Sequence, residues 1–229
     1  MNKKASTGII FLTVFIDLLG FGILIPILPI FASKQLGITD FEIGMIVAVF
    51  SLVQFLFNPV LGKLSDKIGR RPIIVSTLLI TASSYILFTF AHSFWLLFLS
   101  RLLAGFGGSN IGVAQAYIAD VTTKEERAKG MGMIGAASGL GFLFGPMVGG
   151  FFSQYGFEYA GYASASFSFL AFIFAFFFLP ESKQKSTEQV DFKVKFIDLK
   201  LAKETMKHPT IGLLIFMFFM LVFSMANIH

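Results

Sequence analysis

Seven apolar runs, each about twenty residues long, constrain this chain more than any motif in it. They lie at roughly 8–32, 41–61, 72–91, 95–119, 130–152, 159–180 and 210–228. A helix rises about 1.5 Å per residue, so such a run crosses a hydrocarbon core of about 30 Å. Inside that core each backbone polar group must be satisfied within its own segment, which leaves a helix as the form for a lone run of this length. The connections are short, except for a polar stretch over 181–209. The reading is an all-α polytopic membrane protein. It has a six-helix bundle over 1–180, a basic linker over 181–209 and one further helix over 210–229.

Composition narrows the function. The chain is 55% hydrophobic and 14% charged, against about a quarter charged in soluble domains. It has no cysteine, so disulfides and thiolate metal sites are excluded. Its three histidines, at 92, 208 and 229, fall near helix ends or in loops. No metal site, cofactor or nucleophile–base set is expected, and the chain does not read as an enzyme. The first apolar run is too long for a cleaved signal and reads as a retained helix.

The net charge of +5 could suggest nucleic acid, but its distribution assigns it to a membrane face. With the N-terminus inside, sixteen of the 18 basic residues fall in inner segments. Only Lys34 lies outside, and only Arg101 lies within a span. The positive-inside rule therefore predicts a multi-pass protein of the cell (inner) membrane with a cytoplasmic N-terminus. The bilayer is its expected partner, and nucleic acid is not. Residues 191–208 carry Phe192, Phe196, Leu199 and Met206 at helical spacing among lysines, the pattern of an amphipathic helix lying on the inner leaflet.

Residues 62–72 read GKLSDKIGRRP and form the most charge-dense turn between two spans. Gly62 would let the preceding helix end close to a neighbour. Ser65 and Asp66 could cap backbone N–H groups. Gly69 can take a positive φ and reverse the chain. Arg70 and Arg71 would hold the turn inside, and Pro72 suits the first position of the next helix. Asp120 ends the fourth span at the same face, where the helix dipole disfavours a carboxylate. It therefore needs a cation, and Arg70 or Arg71 are its natural partners.

Two charges stand within spans. Asp17 lies about 13 Å along the first helix, where a carboxylate costs roughly 2.5–3.5 kcal/mol on insertion scales. It should face a cavity, a proton or a partner. Arg101 lies about one and a half turns into the fourth span. The axial offset between them is about 7 Å, so an ion pair is expected in at least one state. Arg101 could instead snorkel to the outer headgroups, and the pair could be purely structural. Gln54 serves either a polar cavity or an interhelical hydrogen bond. Asn110, Gln115 and Tyr117 are further candidates for a polar lining, and the sixth span, rich in Phe, Ala and Ser, reads as lipid-facing. In the fifth span Gly141, Gly145 and Gly149 repeat every four residues, a small-residue face on which another helix can approach closely. Pro146 interrupts that helix, and Gly150 closes the motif.

These motifs carry a resemblance. The order Gly-x-x-x-Asp-x-x-Gly-Arg-Arg in 62–72 resembles the signature loop of the major facilitator superfamily. Arg101 with Gly105 is similar to that family's helix-4 motif, and 141–150 resembles the helix-5 motif of its drug:proton antiporters. The opening FIDLLGFGILIPILP is similar to helix 1 of tetracycline efflux proteins. The resemblance implies twelve helices in two halves, of which this chain holds the N-terminal half, the linker and one more helix. It implies exchange of protons for a cationic, zwitterionic or metal-chelated drug, with Asp17 and Arg101 coupling the two. It also implies that Gly62, Asp66, Gly69, Arg70, Arg71 and Asp120 form a conformational latch. Gly145 and Pro146 would then shape the interface with the C-terminal half, the missing partner. A transporter of sugars or other metabolites shares the loop. A non-transporting seven-helix scaffold would fit the length.

Overall fold

The computed structural model describes residues 3–182, 211–217 and 220, and among them there are helices and no strands. The helices are α1 (Lys3–Leu36), α2 (Asp40–Ile68), α3 (Arg70–Thr89), α4 (Phe94–Gly108), α5 (Ile111–Val121), α6 (Arg127–Ser153) and α7 (Phe157–Phe178). Six of the spans they make are long and apolar enough to cross a membrane, with α4 and α5 sharing one. Each matches one of the first six apolar runs. Of the seventh, 211–217 and 220 are helical. The amphipathic stretch 191–208 lies outside the described residues. By chain contacts the polypeptide divides into two compact units, Met1–Val190 and Asp191–His229.

Within the first unit α1 is the hub, packing most extensively on α6 and α7, while α3 packs on α7 and α4. Small residues make the closest seams. A Cβ built on Gly145 of α6 would lie 2.5 Å from the Gly22 carbonyl carbon of α1, and one on Gly141 would lie 2.8 Å from Leu18. Gly149 meets Ile23 in the same way. The every-fourth-residue glycine stripe therefore faces α1 inside the bundle. Gly145 was expected at an interface with a second half, and the structure corrects that. Pro146 and Gly150 do point outward and are exposed. Because the contact at Gly145 is with backbone, no rotamer change can relieve it. Gly145→Val should lower the stability of the purified protein by about 1–3 kcal/mol, measured as a fall in melting temperature. Gly139→Val is the control, because nothing lies within 4 Å of a Cβ there.

Two boundaries differ from the sequence expectation. The charged turn at 62–72 is mostly helix: α2 runs to Ile68 and α3 begins at Arg70, leaving Gly69 as the whole connection. Gly69 has φ 107°, a value that a side chain disfavours. Gly62 meets no neighbour within 4 Å of a Cβ, so it does not mark a close helix contact. The second difference is in the fourth span, which breaks at Ser109 and Asn110. There the Ser109 hydroxyl donates to the Gly105 carbonyl at 2.9 Å, a local bond that competes with the helix ladder. Gly105 and Gly107 bring this span against α2 and α3 respectively.

Half of the α1 span is buried (56%), against 11% for α2. An apolar α2 with so little cover presents a wide face outside the six-helix unit. Phe41, Leu52 and Phe55 stand on it, more than half exposed.

Candidate functional site: two buried charges and a charged elbow

Asp17 sits on α1 with only 7% of its surface exposed. Two neutral donors hold its carboxylate. The Ser168 hydroxyl of α7 donates to Oδ1 at 2.8 Å, and the Asn110 amide donates to Oδ2 at 3.4 Å. Asn110 reaches it from the break between α4 and α5. The carboxylate lines a cavity of about 130 Å³ shared with Phe21, Phe50, Gln54, Tyr85 and Asn110. Gln54 fills both roles open to it: it lines this cavity and donates to the Gly108 carbonyl at 2.9 Å. Gln115 is exposed on α5, and Tyr117 is fully buried in the apolar core with Ile10 and Val14. Neither of these two lines the cavity.

Arg101 sits on α4 and is 4% exposed. Its guanidinium carbon lies 5.6 Å from the Tyr85 ring centre and 5.5 Å from that of Phe88, within cation–π range. One Nη2 donates to the Ser100 hydroxyl at 3.2 Å, and Nε has no hydrogen-bond partner. The side chain lines a second cavity of about 120 Å³. Arg101 is thus buried within the bundle.

The expected ion pair between Asp17 and Arg101 is not formed in this conformation: the ion pairs among the described residues both belong to Arg70. Each charge instead has other partners: Asp17 takes Ser168 and Asn110, and Arg101 takes Ser100 and the Tyr85 and Phe88 faces. Phe21 and Phe50 stack with ring centres 5.2 Å apart and planes 20° from parallel, and both rings line both cavities.

The second cluster forms around Gly69. Arg70 Nε donates to Asp120 Oδ2 at 3.0 Å, and Nη2 donates to Asp66 Oδ1 at 2.8 Å. Its Nη1 bonds the Ser65 hydroxyl and the Gly62 carbonyl. One guanidinium therefore ties the ends of α2 and α5 to the start of α3. Arg71 bonds the Phe176 carbonyl of α7. Glu181 completes the elbow and carries no sequence signal beyond its place after a span. Its carboxylate accepts from the backbone N–H of Arg70 at 2.8 Å and of Arg71 at 3.2 Å. It thus supplies the acceptors that the first turn of α3 lacks, and its negative charge suits that end of the helix dipole. The Ser182 hydroxyl donates to Asp120 at 3.2 Å. A Cβ on Gly69 would collide with the Glu181 carboxylate, so space and backbone angle both require glycine there. Glu181→Ala should cost about 0.5–2 kcal/mol, as loss of a helix cap does. Amide exchange at Arg70 and Arg71 should quicken while exchange around Asp17 stays unchanged.

The family model described as Major Facilitator Superfamily matches residues 10–229. The class B tetracycline resistance protein of Escherichia coli is 34% identical over 182 residues, which is 79% of this chain and 45% of that protein. The class E protein of the same organism is 34% identical over 221 residues, 95% of this chain and 54% of that one. The quinolone resistance protein NorA of Staphylococcus aureus is 33% identical over 189 residues, covering 82% and 48%. Among solved structures, the human organic anion transporter MFSD10 (TETRAN) superposes with a TM-score of 0.73 at 28% identity, covering 86% of this chain and 54% of that one. A peptide transporter, POT, shares the fold at 18% identity with a TM-score of 0.68, covering 74% and 37%. The chain spans about half the length of the curated relatives it matches.

Proposed function

The chain belongs to the Major Facilitator Superfamily, and from that premise we propose that it is the N-terminal part of a proton-coupled exporter of drug-like molecules. Residues 1–180 are then the first bundle, 181–209 the linker and 210–229 the start of the second bundle. The basic end of the first bundle faces the cytoplasm in the cell membrane. The observation that carries this reading is Asp17: a carboxylate buried within the first span, facing a cavity, held by two neutral donors and by no cation. Intramembrane carboxylates of that kind mark proton relays and substrate paths. Relatives named for resistance to tetracycline and to quinolones support the substrate class.

In the proposed cycle Asp17 alternates between a protonated form and an anion. The anion attracts Arg101 once the Phe21–Phe50 stack opens, and arrival of a proton or a cationic drug group releases it. Arg70, bridging Asp66 and Asp120, stabilises one conformation of the bundle while this occurs. A sugar or metabolite transporter is the second reading, but no residue at this site favours it. The test is accumulation of tetracycline and of a quinolone in inverted membrane vesicles under an imposed pH gradient, using the native gene product. Gradient-dependent uptake supports the reading. Uptake that ignores the gradient removes the proton coupling, and no uptake of either drug removes the substrate class.

A further inference from the structure

We propose that the Arg101 cavity is a binding site for the carboxylate of an apolar organic anion. Arg101 is a buried cation that faces no carboxylate: its oxygen partner is Ser100, and its Nε donor is unused. Taking a charge out of water without a counter-ion is costly, and the cost is recovered when an anion supplies both charge and acceptors. A guanidinium is planar and fixed, so it suits the two oxygens of a carboxylate in parallel hydrogen bonds. One positive charge calls for one negative charge, which favours a carboxylate over a dianion. The Tyr85 and Phe88 faces flank the guanidinium and limit the directions from which a ligand can reach it.

The rest of the cavity defines the body of the ligand. Phe21, Leu24, Leu28, Val47 and Phe50 line it, and Arg101 is its charged group. Its volume of about 120 Å³ holds a head group and a few carbons. Val47 is exposed, so a larger body can extend past it. Apolar walls with a single well-placed polar group are the usual build of a small-molecule site. The carboxylate would occupy Arg101 in a cavity whose lining does not include Asp17. Anion binding and the Asp17–Arg101 pair then exclude each other. The meaning of this site as a substrate site rests on the transporter reading, but the binding itself does not.

Saturation-transfer NMR on the purified chain in a neutral detergent tests it, with benzoate as the probe and benzamide as its uncharged counterpart. Benzoate should bind saturably and about tenfold or more tighter than benzamide, because a hydrogen bond to a charged group carries that much. Arg101→Met should remove the difference, and Arg101→Lys should restore part of it. Val47→Trp, which fills the cavity without touching the guanidinium, should weaken benzoate several-fold and serves as the deciding variant if Arg101→Met does not fold. Asp17→Asn should leave benzoate binding intact or tighter. A failure of proton coupling in vesicles therefore leaves this result standing, and the reverse also holds. Equal affinity for the two probes would overturn the proposal, as would benzoate binding that survives Arg101→Met. An anionic phospholipid retained in native mass spectra of the wild type and lost from Arg101→Met would assign the pocket to a lipid headgroup and overturn it too.

Discussion

Asp17→Asn should abolish gradient-driven drug accumulation by about a hundredfold or more and, in the same protein, raise the melting temperature. Asparagine has the shape of aspartate and keeps an oxygen for the Ser168 hydroxyl, which donates at 2.8 Å. It loses the charge, the exchangeable proton and one acceptor, the oxygen that the Asn110 amide meets at 3.4 Å. A charge at this depth costs roughly 2.5–3.5 kcal/mol, and no cation offsets it here. Removing the charge therefore relieves the fold while removing the proton site, the trade expected where function is maintained at the expense of stability. The two readouts separate the competing roles of Asp17. A structural carboxylate would give a destabilised asparagine variant with transport lowered only in proportion to folded protein. Full gradient-driven transport in a stable variant would place the proton elsewhere.

The second large effect is expected at Arg70. Arg70→Met removes the guanidinium that bridges Asp66 and Asp120 and also bonds Ser65 and Gly62. Asp66 and Asp120 are left as like charges with no bridge between them. Asp66 is nearly half exposed and Asp120 about a quarter exposed, so water offsets part of the loss. A destabilisation of about 1.5–3 kcal/mol is the range for charge-assisted bonds, with the lower end expected. Transport should fall much further than stability, because the bridge joins three helix ends that must keep one arrangement. Arg70→Lys should not rescue it, since an ammonium lacks the fork that reaches two carboxylates at once. Adding Asp120→Asn to Arg70→Met should recover part of the melting temperature by removing the repulsion, which a double-mutant cycle reads directly. Asp66→Asn should lose transport at normal expression. Wild-type rates in that variant would remove the latch.

Much of this was legible in the residues because membrane helices write themselves as long apolar runs. The partner of Asp120 was legible for a similar reason: a carboxylate at a helix C-terminus needs a cation, and the nearest charged turn held one. What escaped depends on direction around a helix or on contacts far apart in sequence. Ser168 reaches Asp17 across 151 positions and looks like one more small residue in a Phe-rich span. Glu181 lies 111 positions from the backbone N–H of Arg70 that it caps. The Asp17–Arg101 pair failed in this state because rise per residue fixes height and says nothing of the partners each side chain turns to. The helical course of 62–68 was hidden by its charges, although Lys63 and Lys67 can carry a helix past the apolar boundary by extending toward water.

The two unpaired charges have an electrical consequence. Buried, opposite and not joined, they behave as a charged capacitor, with Asp17 and Arg101 as its plates. Protonating Asp17 discharges it, and bringing the plates together shorts it. On the rise-per-residue estimate of about 7 Å between them along the helix axes, a charge moving from one toward the other would cross part of the transmembrane field. A full crossing is worth about 2.3 kcal/mol per charge per 100 mV, so a displacement of that size senses about 0.5 kcal/mol of the same potential. On the proposed exporter reading, movement of either charge would then respond to membrane voltage as well as to the proton gradient.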